Sequence, residues 1–230
     1  MTLAGQAAER VRGWLYDGTI ERDAFYSVPQ MADLLGMSRS PVREGLLSLA
    51  GAGLIEFVPN RGFRAVRPSG HDIAEIFALR LALEPLGAAR AAALPASADV
   101  RNPAATLALE TMRTAAVKGD SAQFASADQR LHAAILETVG NARMTALIAD
   151  LRDATRLLGA STAGRSRSLA EILDEHEPFV AAIEAGDGAR AAMSMRRHLI
   201  ATGRLLVQQA FDDGDDEAWA AWDRLVDEDE

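Results

Sequence analysis

Apolar residues from Ala7 to Trp14 recur at helical spacing, and the pattern stops before Asp17-Gly18. Val28 to Leu35 is a second short helical pattern. Ser27 is placed to cap it, Pro29 falls in its first turn and Gly36 suits its end. A third helix is expected with Ser40 as cap and Pro41 as first helical residue, and Val42, Leu46, Leu47 and Leu49 form its apolar face. Gly51 and Gly53 end it. The period then shortens. Leu54 to Val58 and Phe63 to Val66 read as strands around a turn at Pro59-Asn60-Arg61-Gly62. Pro68-Ser69-Gly70 reads as a linker, and every pattern after it is helical. Breaks at Pro95 to Pro103, Gly119, Gly140-Asn141, Gly159 to Arg167 and Gly186 delimit about six helices, with a seventh from Asp216 to Val226.

The order helix, helix, helix, hairpin predicts a winged helix-turn-helix. The expected fold is therefore mainly α: a winged helix-turn-helix with a small β-hairpin wing over residues 1–68, an all-helical bundle of six to seven helices over 71–211, and an acidic amphipathic tail over 212–230.

Composition narrows the chemistry. Among 230 residues there is no cysteine, which excludes disulfides, thiolate metal sites and thiol nucleophiles. Nearly half of the residues are hydrophobic, enough for a real core. No apolar run approaches the roughly 20 residues of a membrane span. Met1 to Arg10 has no apolar signal core, so a cytoplasmic location and no membrane partner are expected. The net charge of -9 argues at first against nucleic acid as a partner. Its distribution removes the objection. Residues 1–70 hold 8 basic and 7 acidic groups, whereas residues 211–230 hold 1 basic and 10 acidic. The excess lies in the tail, so the N-terminal third is nearly neutral.

Within that third, Ser38, Arg39, Ser40 and Arg43 surround the start of the third helix. A helix N-terminus entering a major groove aims such positions at base edges and phosphates. Arginine offers guanine a bidentate donor pair. In the wing, Arg61 and Arg64 flank Gly62, where a missing side chain would let backbone approach DNA closely. The stretch Gly36-Met37-Ser38-Arg39-Ser40-Pro41-Val42-Arg43-Glu44, continued through Leu49, Gly53-Leu54-Ile55 and Pro59 to Phe63, resembles the GntR family of bacterial transcription regulators. The resemblance implies binding to a double-stranded, palindromic operator as a homodimer. Gly45 stands where that family usually has alanine, which should weaken the helix by up to about 1 kcal/mol.

Polar groups on apolar stripes carry the rest. Asp128 and His132 fall on the stripe of Phe124, Ile135 and Val139. His176 lies among Ile172, Leu173, Phe179, Val180 and Ile183, and His198 between Met195 and Leu205. Buried polar groups need partners. One divalent ion held by a carboxylate and three imidazoles would serve all four, and the donor set suits zinc, with nickel, manganese or another transition ion as alternatives. Asp128-x3-His132, Gly140-Asn141, Glu175-His176, Gly186-Asp187 and Arg197-His198-Leu199 resemble the FCD group of GntR regulators. That likeness implies metal binding at Asp128, His132, His176 and His198, with a small organic acid completing the coordination. It also implies that Arg80, which interrupts a seam of Ile73, Ile76, Leu83 and Gly87, pairs with the effector carboxylate. An internal pair with Glu84 is an equal alternative.

The expected function is a transcription regulator, in the commoner family mode a repressor relieved by its effector. A metal-responsive regulator is the alternative. A metal-dependent enzyme on the bundle is a further alternative, but it leaves the helix-turn-helix without a purpose and finds no additional general base on the same stripes.

Overall fold

The computed structural model describes residues 2–21, 24–66, 70–94, 103–157, 162, 166–210 and 216–227. The expected linker at Pro68-Ser69 and the acidic residues Asp212 to Asp215 lie outside them. The chain divides into two compact units, one of Met1–Pro68 with Asp153–Gly159 and one of Ser69–Arg152 with Ala160–Glu230.

The first unit runs α1 (Leu3–Asp17), α2 (Val28–Leu35), α3 (Arg39–Gly51), β1 (Ile55–Val58) and β2 (Gly62–Ala65). Helix α1 starts at Leu3 rather than Ala7, because the Thr2 hydroxyl accepts from the Gly5 N–H and caps it. Ser27 and Gln30 form a capping box on α2, and Gly36 closes it at a left-handed φ of 62°. Helix α3 departs from expectation. Its cap is Ser38 and not Ser40, so Arg39 is the first helical residue and Pro41 follows inside the first turn. Proline is tolerated there because the first-turn N–H groups have no intrahelical partner. Leu47 is half exposed, and the apolar face instead runs Val42, Leu46 and Leu49.

Helix α3 packs against α1. Gly45 is where they cross: a β-carbon there would lie 2.7 Å from the Ala4 carbonyl oxygen and 2.9 Å from the Ala8 nitrogen. The glycine that weakens the helix locally thus permits its closest tertiary contact. The hairpin is antiparallel, with Val58 opposite Gly62 and Glu56 opposite Arg64. Tyr26 adds a bridge to Phe63, its N–H donating to the Phe63 carbonyl at 2.8 Å and its carbonyl accepting in return at 2.8 Å.

The second unit contains α4 (Gly70–Ala92), α5 (Pro103–Lys118), α6 (Ser121–Thr138), α7 (Ala142–Leu157, as far as Arg152), α8 (Leu169–Glu184), α9 (Gly188–Ala210) and α10 (Asp216–Asp227). The long helices α4 and α9 lie along each other, α5 lies along α6, and α8 packs on α9. Met144 and Ile148 of α7 join Leu136 of α6 in a buried cluster flanked by Leu83. On α4 the buried stripe is Ile73, Phe77, Arg80, Glu84 and Gly87, with Ile76 and Leu83 only half buried at its edge. The true seam therefore carries a charged pair in its middle. Helix α10 docks on α4 and α9. Trp222 is buried edge-on to Phe77, ring centroids 5.9 Å apart. Gly203 makes the notch, since a β-carbon there would sit 2.2 Å from the indole.

Candidate metal centre and nucleic-acid interface

In the bundle, α6, α8 and α9 bring His132, His176 and His198 together. All three are buried, and one ligand atom from each lies within 4.8 Å of the others. Phe179 packs against all three rings, at centroid distances of 5.3 to 5.9 Å.

The outer nitrogens decide how these rings face. His132 Nδ1 donates to Glu84 Oε2 at 2.6 Å. His176 Nδ1 donates to the Ile172 carbonyl at 2.7 Å. His198 Nδ1 donates to Glu175 Oε2 at 3.0 Å. A carbonyl or carboxylate oxygen can only accept, so these contacts place a proton on each Nδ1. His176 Nε2 faces the Asp128 carboxylate as well, so by the same rule a proton or a metal ion must stand between those two atoms. The Nε2 atoms of His132 and His176 lie 3.4 Å apart. Asp128 Oδ1 lies 2.7 Å from His176 Nε2 and 3.8 Å from His132 Nε2. Asp128 Oδ1 and the Nε2 atoms of His132 and His176 meet at one point, where a proton or a cation must separate them. That donor set fits a divalent ion, and the Nδ1 contacts are of the kind that orient metal-bound imidazoles. The residues that would hold the ion are His132, His176, His198 and Asp128.

Charges around the rings are paired. Arg80 Nε donates to Glu84 Oε1 at 2.6 Å, and Arg80 stacks 4.6 Å above Phe77. Arg152 holds Asp128 Oδ2 and lies 3.6 Å from Glu84 Oε2. Arg167 Nη1 contacts both oxygens of Glu175 at 2.5 and 2.6 Å. Burial alone would raise the Glu84 carboxyl, but Arg80, His132 and Arg152 outweigh it and hold the group well below the ordinary carboxylate range. Asp128 follows the same balance: burial opposes ionisation, and Arg152 with His176 overcomes it. Burial, with Arg152 acting in the same sense, pushes His132 down to about 4. Burial and the two neighbouring imidazoles push His198 well below its ordinary value. Both rings are therefore neutral near pH 7, the form that binds metal.

Arg80 adopts the internal pair with Glu84 that the sequence left open. Arg152 is an addition to the residues expected from sequence, yet it sits four and eight residues after Ile148 and Met144, on the same stripe of α7. Arg167 carries no such signal, because it lies outside any helix.

In the first unit, Ser38, Arg39, Ser40 and Arg43 are all exposed at the start of α3. The Ser38 side chain makes no capping hydrogen bond. On the wing, Arg61 is exposed and stacks 3.8 Å over Phe25, an aromatic partner that the sequence did not suggest. Arg64 pairs with Glu56 across the hairpin at 2.5 Å, so part of its charge is already satisfied. Gly62 also has a structural role within the wing. The group that approaches it is the Tyr26 carbonyl oxygen, 2.2 Å from where a β-carbon would stand, and the backbone there has a φ of 98°. The glycine serves the bridge to Tyr26.

Comparisons with known proteins match both units. The model of the bacterial regulatory proteins of the gntR family matches residues 3–64, and that of the FCD domain matches residues 75–201. A probable D-xylose utilization operon transcriptional repressor of Paenarthrobacter nicotinovorans is 28% identical over 208 residues, covering 87% of each chain. An HTH-type transcriptional regulator in an unstable DNA locus of Streptomyces ambofaciens is 31% identical over 181 residues, 76% of this chain and 73% of that one. Among solved structures, E. coli McbR/YncC has the same fold, with a TM-score of 0.77, 23% identity, and coverage of 91% of this chain and 99% of that one. The relatives are named as regulators, in keeping with a protein that is not an enzyme. The chain belongs to the GntR family of bacterial regulatory proteins: it is a DNA-binding transcription regulator that carries an FCD effector-binding domain.

Proposed function

We propose that this regulator is a repressor whose operator affinity is set by a small carboxylate effector bound at a metal ion in the helical unit. The observation that carries the reading is the convergence of three buried imidazoles beside Asp128, each ring oriented by an acceptor on its own Nδ1. His132, His176, His198 and Asp128 hold the ion, zinc by their chemistry. When bound, the ion supplies a charged anchor with room for an oxygen ligand. Arg80 and Arg152 lie beside it in pairs with Glu84 and Asp128, and an effector carboxylate would share their donors. The named repressor among the relatives supports repression as the mode.

Two such chains as a homodimer match a palindromic operator, since a two-fold protein fits a two-fold site. Arg39 and Arg43 read the major groove, while Ser38, Ser40, Arg61 and Arg64 hold phosphate. The effector acts by binding one arrangement of the dimer better than the other. The test is elemental analysis of protein purified without chelator, followed by mobility shifts with zinc alone and with zinc plus hydroxy acids or dicarboxylates. One ion per chain and an operator affinity that changes only when carboxylate is added support this reading. A change with zinc alone makes the ion itself the signal, and absence of stoichiometric metal removes the site.

A further inference from the structure

We infer that Arg167, acting through Glu175, positions His198 and thereby sets the strength of the metal site; the inference rests on the metal reading above. Each imidazole has a distinct anchor. His176 uses a backbone carbonyl of its own helix. His132 and His198 each use a carboxylate, and each carboxylate is held by arginine: Glu84 by Arg80, and Glu175 by Arg167.

The second relay is built from more than one element. Arg167 stands immediately before Ser168, the cap of α8. Its Nη1 meets both oxygens of Glu175, while its Nη2 donates to Thr162 Oγ1 at 2.9 Å and to Thr202 Oγ1 at 3.1 Å. Thr202 lies one turn beyond His198 on α9. The guanidinium therefore ties together the approach to α8, Glu175 on α8 and the helix that carries His198. The Arg167 side chain is only 9% exposed, and its Nε is buried with no hydrogen-bond partner among the described residues. The fork is turned wholly toward Glu175 and the two threonines.

The consequence is electrostatic as well as geometric. The Glu175 side chain accepting from Nδ1–H makes the opposite Nε2 of His198 a stronger donor to a metal ion. Arg167 holds that carboxylate in place. Without it, Glu175 is free to rotate toward water, since it is 27% exposed. Arg167 is a positioning residue, because it touches neither the ion nor an effector.

The experiment uses the full chain, freed of metal, with Co(II) and Zn(II) as probes and a chromophoric chelator as competitor. Arg167→Met and Glu175→Gln are expected to keep one ion per chain, to lose about 10-fold to 100-fold in affinity, and to change the visible Co(II) spectrum. Arg167→Lys should recover part of the loss. Operator affinity of the metal-free protein should be the same in all of them. Should Arg167→Met fail to fold, as judged by circular dichroism, the near-isosteric Glu175→Gln carries the same expectation. Wild-type affinity together with a wild-type Co(II) spectrum in folded variants would overturn the inference and leave the metal site standing. A parent chain that binds neither ion stoichiometrically overturns the metal reading and this inference with it.

Discussion

His132 Nδ1 and Glu84 Oε2 lie 2.6 Å apart, although 48 residues separate them along the chain. Both side chains are almost wholly buried. Helices α4 and α6 thus meet at a polar contact between two of the side chains that interrupt their apolar stripes.

Removing that carboxylate should be damaging. Glu84→Ala leaves the Arg80 guanidinium buried beside no anion of its own, and breaking one side of a buried pair costs about 3–5 kcal/mol. Chemical denaturation of the metal-free protein should show a loss of that size. A change within error would mean that Arg80 finds another partner or water.

Acid should weaken the protein between neutral pH and about pH 4. His132 has its pKa lowered to about 4, against 6.5 when unperturbed. The unfolded chain therefore binds the proton first as pH falls. The stability that depends on the neutral ring is complete above the unfolded pKa, declines as pH drops below it and is gone below the folded pKa. Asp128 and Glu84, held low by their cations, extend the loss at still lower pH. Melting temperatures of metal-free protein across this range test the sign, and a flat profile contradicts it.

At Gly45 two effects compete. Alanine improves helix propensity by up to about 1 kcal/mol. Its β-carbon, however, would lie 2.7 Å from the Ala4 carbonyl oxygen, which is backbone and cannot swing aside. Gly45→Ala is expected to lower stability, and a raised melting temperature would show that α1 shifts at little cost.

The tail helix offers a test away from the metal. Trp222 is 2% exposed and fills the notch at Gly203. Trp222→Ala should destabilise the helical unit by about 3–5 kcal/mol. A much smaller effect would mean that α10 contributes little to holding α4 and α9.

For DNA, Arg43→Ala should abolish specific operator binding in a mobility shift while circular dichroism stays unchanged, because the side chain is exposed on α3. Arg64→Ala should have a smaller effect, since Glu56 already pairs with that side chain. Equal losses would argue that the Glu56 pair opens on DNA.

Much of the site is legible in the order of residues. The imidazoles of His132, His176 and His198 stand out because each interrupts an apolar stripe, and periodicity reports which face a residue takes. The partners of those imidazoles are harder to find. Glu84 is visible only as a neighbour of Arg80. Arg152 shares a stripe with Met144 and Ile148, but periodicity gives its face and not its carboxylate partners. Arg167 precedes a helix, where no period operates. The start of α3 lies at Ser38 rather than Ser40 because either serine could cap, and only the backbone conformation chooses between them.

Taken alone, the sequence determined the kind and order of elements, the family and the inward face of the helices that carry the histidines. These are local properties, written in period, caps and motif spacing. Tertiary structure decided which acceptor each ring nitrogen faces, which arginine holds which carboxylate, and why Gly45 and Gly62 are glycine. Those depend on distances between atoms far apart in the chain, and they emerge only when helices cross at particular residues. The same holds for charge. The net charge of -9 belongs to the chain as a string, whereas the paired ions around His132, His176 and His198 exist only because folding brings them together.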